Sequence, residues 1–206
     1  MYEFLEVNRS KFWPQLKRAI ILFLVLWSIL FLYLYTKGEI IDWNILFLMY
    51  LGVLIPLTVL ATFFGAMQDW FEFNKCKKIL AEEAFNQLKY NGFKYSYTNT
   101  TSSWITSMPT LIGNIDGYPL RVEVERGVLR ILADVNKDQL EKRHMAKLKE
   151  IFGKINVSYD SFGVALIYRK LRRKDLLYSS IDKDIKQLVN FFKTEKIDSW
   201  DIGSLD

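Results

Sequence analysis

The chain has 206 residues, half of them hydrophobic, with 28 Lys+Arg against 23 Asp+Glu and a formal net charge of +5. Its pI of about 9.1 is mildly basic, which suits a surface beside anionic lipid and is too weak to argue for a nucleic-acid partner. The single cysteine, Cys76, excludes an internal disulfide framework and a multi-cysteine metal site, and fits a reducing compartment.

The hydrophobic excess is concentrated near the N-terminus. Neither Ala19 to Thr36 nor Ile45 to Met67 contains a charged residue. At about 1.5 Å rise per residue, each can cross most or all of a ~30 Å hydrocarbon core. Two such runs parted by a short polar turn predict a two-helix membrane hairpin rather than a buried soluble helix. A cleaved signal peptide fits poorly, because no A-x-A site follows the first run and a second span comes at once.

Arg9, Lys11, Lys17 and Arg18 precede the first run, and Lys75, Lys77 and Lys78 follow the second. The connecting KGEIIDWN holds only Lys37, opposed by Glu39 and Asp42. The excess of cations on one side places both termini in the cytosol. The expectation is a multi-pass protein of a bacterial inner (cytoplasmic) membrane, with the lipid bilayer as its first partner. No ionisable residue lies inside either run, which argues against a proton or ion relay. Ala61 and Gly65 form a small-xxx-small pair, suited to packing within the hairpin or in a homo-oligomer.

Gln68 to Tyr90 reads as one helix leaving the membrane. No Pro or Gly lies between Gly65 and Gly92, and Ile79, Ala81, Phe85 and Leu88 make an apolar stripe. A strand-rich stretch follows. FKYSYT alternates, and the polar loop Thr98 to Trp104 offers a contact surface with an aromatic tip. LIGNI meets YPLRVEVE across Asp116-Gly117, a strong hairpin signal, and Arg126-Gly127 turns the chain again into VLRILADV.

Asn136, with Gln139 three residues on, has the spacing of a capping box. It predicts a helix to about Phe152 that buries Leu140, Leu148 and Ile151 and stops at Gly153. INVSY and FGVALIYR form a second hairpin across Asp160-Ser161. Ser179 or Ser180 caps a last helix with Ile181, Ile185, Leu188 and Phe192 on one face. The order α-β(3-4)-α-β2-α is that of an α+β domain, an antiparallel sheet with helices gathered on a face or end. The expected organisation is a cytosolic juxtamembrane segment over 1–18, the transmembrane hairpin over 19–67, the helix leaving the membrane over 68–91, and the cytosolic α+β domain over 92–206.

The chemical motifs are few. No phosphate-binding glycine loop, no H-E-x-x-H, no G-x-S-x-G and no C-x-x-C occurs, so no cofactor, metal or catalytic residue is expected. His144 lies in the charged run EKRHMAKLKE and reads as a solvated or boundary residue, and Cys76 as packed on the helix that leaves the membrane. Glu82 and Glu83 point apart on a helix, and Asp182 and Asp184 suit a first helical turn.

The most suggestive polar feature is Arg169, Lys170, Arg172, Arg173 and Lys174, five cations in six residues after the last strand. Such a cluster can hold a phosphorylated or nucleotide ligand or anionic headgroups, or can simply be a solvated turn. Tyr168 and Tyr178 flank it and could stack on a base. The expected function is that of a non-catalytic membrane protein whose cytosolic domain binds a ligand or protein and couples it to the hairpin, as in a membrane-acting effector of bacterial defence. The alternative is an immunity protein against a toxin, or a scaffold subunit of an envelope or secretion complex.

Overall fold

Alternating apolar and polar residues in the second half of the chain become the strands of a six-stranded antiparallel sheet. The computed structural model describes residues 1–37, 44, 52–53, 55–99, 102, 105–153, 155–159, 163–168 and 178–199. They fall into two units: Met1–Phe71 with Asn99–Ser107, and Glu72–Thr98 with Met108–Asp206. Five α-helices and the sheet lie among the described residues, an α+β arrangement.

In the second unit the strands are β1 (Lys94–Tyr97), β2 (Pro109–Ile115), β3 (Tyr118–Glu125), β4 (Val128–Asp134), β5 (Asn156–Tyr159) and β6 (Gly163–Tyr168), in the spatial order β1-β2-β3-β4-β6-β5. Asp116-Gly117 (φ 53° and 91°) and Arg126-Gly127 (φ 50° and 77°) are both left-handed, as a tight two-residue hairpin turn with strand-matched twist requires. The register aligns Leu111, Val122, Ile131, Leu166 and Val157 in one row across five strands, and all five are buried.

Helices α3 (Glu83–Tyr90), α4 (Lys142–Phe152) and α5 (Tyr178–Thr194) contribute Phe85, Leu88, Leu148, Ile181, Ile185, Leu188 and Phe192 to the same core. The apolar face read for the last helix is therefore the buried one. Arg121, Glu123 and Asp134 alternate onto the other side of the sheet. There the Arg121 guanidinium lies 3.3 Å from Asp134 and 3.7 Å from Glu123.

Two helix boundaries differ from the sequence expectation. The helix expected without a break from Gln68 to Tyr90 is interrupted: α2 (Ile55–Leu80) stops, and α3 begins after an extended Glu82 (φ −61°, ψ 155°). Side chains replace the lost backbone partners. Lys89 Nζ donates to the Leu80 carbonyl at 3.1 Å and Asn86 Nδ2 to that of Ala81 at 3.1 Å, so the break needs neither Gly nor Pro.

The helix expected to start after Asn136 starts at Lys142. Asn136 caps only the short 3₁₀ turn Lys137–Gln139. Gln139 is diverted to Asp198, donating to its carboxylate at 2.7 Å and accepting from its amide at 2.6 Å. Met145, Leu148 and Phe152 then form the buried face, and Ile151 is left 40% exposed.

In the first unit, α1 (Tyr2–Thr36) is a single helix with Pro14 inside it. Among the described residues it is the one helix long and apolar enough to cross a membrane, and none of its span is buried in protein. Most of the first half of the second predicted span, and most of the turn before it, lie outside the described residues. From Ile55 that run is helical, with Leu57, Val59, Leu60, Phe63 and Phe64 exposed. Ala61 and Gly65 are exposed too, and nothing lies within 4 Å of a Cβ built on Gly65.

Candidate functional site

The buried face of α1 is not the apolar one. Phe4, Asn8 and Lys11, spaced at i, i+4 and i+7, share one side of the helix and are its buried residues. They grip the segment between β1 and β2. The Lys11 ammonium, 2% exposed, donates to the Asn99 carbonyl at 2.5 Å, the Ile105 carbonyl at 2.7 Å and Ser107 Oγ at 2.7 Å. Asn8 Nδ2 donates to the Ser107 carbonyl at 3.3 Å, and its Oδ1 accepts from the Ser107 amide at 2.7 Å. The Thr106 hydroxyl donates to Asp69 of α2.

Three donors on Lys11 thus meet three neutral oxygens. Such charge-assisted bonds contribute about 1.5–3 kcal/mol each, but stripping water from an ammonium costs several kcal/mol, so the net gain is small. Burial accordingly pulls the Lys11 pKa below its usual 10.5. Sequence reasoning assigns Lys11 only a topological role, and Asn8 none. The described part of the Thr98 to Trp104 loop spends its Asn99 carbonyl on α1 rather than offering it as a free surface.

In the second unit, α4 and α5 flank a cleft of about 340 Å³ lined by Lys147, Glu150, Ile151, Gln187, Asn190, Phe191, Thr194 and Glu195. Ile151 and Phe191 supply its apolar surface. The Glu195 carboxylate takes a 2.8 Å bond from Lys147 and lies 3.5 Å from His144 Nε2. That bond, ahead of the nearby positive charges, holds its carboxyl below the usual 4.5. Among the described residues, the side chains of Glu150, Gln187 and Asn190 keep their polar atoms unbonded at this cleft. The cleft is an open groove whose lining, apart from Ile151 and Phe191, is polar or charged.

His144 is buried rather than solvated, 3% exposed. Its Nδ1 accepts from the Glu141 amide at 3.1 Å, capping α4, which leaves the proton of the neutral ring on Nε2 towards Glu195. Cys76 is buried as well, its thiol donating to the Val124 carbonyl at 2.8 Å. The two are therefore engaged separately. Among the described residues, no group of His, Cys, Asp and Glu converges as a metal site.

Arg169, Lys170, Arg172, Arg173 and Lys174, the site residues expected from the sequence, lie outside the described residues. Their neighbour Tyr168 does not stand free to stack on a base. It is buried and donates its hydroxyl to Asp184 at 2.5 Å. Comparison with known protein families, curated proteins and solved structures returned no match.

Proposed function

We propose that this chain is a membrane-tethered, non-catalytic receptor whose α+β domain binds a small polar ligand or a protein segment and passes the event to its membrane helices. In this reading Ala19 to Thr36 and Ile45 to Met67 form a two-helix hairpin in a bacterial inner membrane, with both termini in the cytosol. The observation that carries it is the dual character of α1. One helix bears an apolar stretch that is not buried among the described residues and, at its other end, a buried polar stripe hydrogen-bonded to Asn99, Ile105 and Ser107. An anchor alone needs only the first. At about 1.5 Å per residue α1 is roughly 50 Å long, well beyond a ~30 Å hydrocarbon core, which leaves its gripping end outside the lipid.

The cleft between α4 and α5 is the favoured receiving site, with the Arg169 to Lys174 cluster as a second contact for a phosphorylated or nucleotide ligand. A membrane-acting effector of bacterial defence fits this coupling. A hairpin that only anchors the domain fits an immunity protein or a scaffold subunit instead.

Cysteine labelling tests the topology. In a Cys76→Ser background, Glu39→Cys should react with an impermeant reagent on intact cells, and Ser199→Cys should stay protected. Protection at 39 with reaction at 199 would overturn the orientation, and reaction at neither would overturn the second span.

A further inference from the structure

We propose that Arg9, Trp13 and Lys17 of α1 form a docking ridge for anionic phospholipid headgroups on the cytosolic side of the bilayer. This deepens the receptor reading, on which it rests for the placement of Ala19 to Thr36 in the membrane.

The three residues are spaced at i, i+4 and i+8, so they share one side of the helix. It is the side opposite the one on which Phe4, Asn8 and Lys11 are buried. Along it the chain sets a cation, an aromatic ring and a cation, all exposed, with Trp13 at 72%. Neither Arg9 nor Lys17 has an ion pair or a side-chain hydrogen bond among the described residues, whereas Arg18, the next cation, is half-buried and already engaged. Two unneutralised positive charges beside the start of a charge-free stretch are complementary to lipid phosphates.

Depth separates this ridge from the rest of the arm. At about 1.5 Å per residue, Lys17 stands roughly 3 Å and Trp13 roughly 9 Å outside Ala19, where the charge-free run begins. A bilayer of ~40–45 Å around a ~30 Å hydrocarbon core leaves roughly 5–8 Å of headgroup layer on each side. Lys17 therefore lies inside that layer and Trp13 at its outer edge, the level at which amphipathic rings gather. Helical side chains lean towards the N-terminus, so Lys17 carries its ammonium away from the hydrocarbon and up among the phosphates.

Arg9, roughly 15 Å out, stands within about a Debye length of the phosphates and adds attraction without contact. Met1, Tyr2 and Leu5 are exposed as well, but at roughly 21 Å or more they are beyond the reach of the headgroups and take no part. The exposed Glu6 is likewise roughly 20 Å out, too far to neutralise Lys17.

Spin-labelled lipids test the ridge on the full chain in phosphatidylcholine vesicles. Phosphatidylglycerol and phosphatidylcholine, each added as an acyl-chain-labelled trace, report by electron paramagnetic resonance how strongly each is held at the protein boundary. The wild type should hold phosphatidylglycerol about three- to fivefold more strongly at low salt, since one cation near the surface is worth roughly fivefold, and the preference should shrink as salt is added. Lys17→Gln should remove at least half of it and Arg9→Gln a smaller part. Trp13→Ala, which leaves every charge in place, should also lower it by loosening the arm from the headgroup layer. Lys142→Gln with Lys149→Gln, which removes two charges from exposed positions of α4, should leave it unchanged. All five positions are exposed, so each variant keeps the fold.

A preference indifferent to Lys17→Gln or to Trp13→Ala, or one that falls equally in the α4 variant, would overturn the ridge. So would boundary lipid of both kinds with no preference, which would leave the exposed cations to an acidic protein surface while the receptor reading stands. No boundary lipid of either kind would show that the chain does not enter the bilayer, and would remove the receptor reading together with the ridge.

Discussion

Lys11 and Ser107, 96 positions apart in the chain, meet Nζ to Oγ at 2.7 Å with both residues almost fully buried. The first belongs to a helix that continues into the charge-free run, and the second to the connection between two strands. The meeting has a measurable consequence in alkaline solution. The ammonium has its usual 10.5 in the unfolded chain and a lower pKa when folded, because burial disfavours the charged form. Between those two values the unfolded chain binds more protons, so this group adds stability as pH rises and penalises the fold at lower pH. Denaturant melts of the full chain at a series of pH values up to about 10.5, for wild type and Lys11→Met, should differ in slope. The wild type gains relative to the variant as pH increases, and parallel curves would show that Lys11 is hydrated in the folded protein.

Glu195 gives a slope of the same sign at the acid end, as a stabilising contact that is lost on acidification rather than a penalty that is relieved in alkali. Its carboxyl is held below 4.5 chiefly by the bond from Lys147, so its contribution is complete above 4.5 and is lost as pH falls through the folded value. Glu195→Gln should therefore be less stable than wild type at neutral pH and converge with it below that value. A variant that melts like wild type at both pH 7 and pH 3 would place the ion pair among those surface contacts that contribute nothing.

The parts of this molecule legible in the sequence are those set by local rules. Asp116-Gly117 announces its hairpin because few residue pairs tolerate two left-handed conformations in a row. The spacing of Ile181, Ile185, Leu188 and Phe192 names the face of α5, because a stripe at 3.6 residues has no other use in a helix beside a sheet. The clamp was not legible. Phe4, Asn8 and Lys11 have helical spacing, but two of the three are polar, and periodicity is read from apolar residues alone. Gln139 had the right offset for a cap and was claimed by Asp198, 59 positions away. His144 looked solvated because its neighbours in sequence are charged, whereas its place on α4 turns it towards Glu195 and Phe191. In each case a distant partner outbid the local signal.

Gly163 is a position where a single methyl group should be costly. It opens β6 with φ at 155°, and a Cβ there would overlap the Ala133 carbonyl and lie 2.8 Å from the Val135 amide nitrogen. Both are backbone atoms of the adjoining strand region and cannot rotate away. Gly163→Ala should destabilise the chain by about 3 kcal/mol, at the upper end of overpacking penalties. Gly92→Ala makes the control. Gly92 is also left-handed, at 95°, with nothing within 4 Å of its Cβ position. It carries the conformational strain without the collision, and should cost about 1–2 kcal/mol. Equal losses at the two sites would mean that strain alone, and not the approach of β4, demands the glycine at 163.

The last prediction separates the two candidate receiving surfaces. Ile151 is 40% exposed beside unbonded Glu150, Gln187 and Asn190, so Ile151→Lys should change stability by no more than about 0.5 kcal/mol while placing a charged chain over the cleft. Arg172→Gln with Arg173→Gln removes two phosphate-pairing groups of the basic cluster, each charge-assisted bond being worth about 1.5–3 kcal/mol to a phosphorylated ligand. A panel of nucleotides and short peptides, screened against the full chain in nanodiscs by ligand-observed NMR, then has distinct outcomes. A binder lost in Ile151→Lys and kept in the double Gln variant occupies the cleft. One lost in the double Gln variant alone is a phosphate ligand of the cluster, and its affinity should also fall with added salt. A binder indifferent to both changes would remove the cleft and the cluster together. With them would go the receptor reading of this domain, leaving the anchored immunity or scaffold protein as the better account.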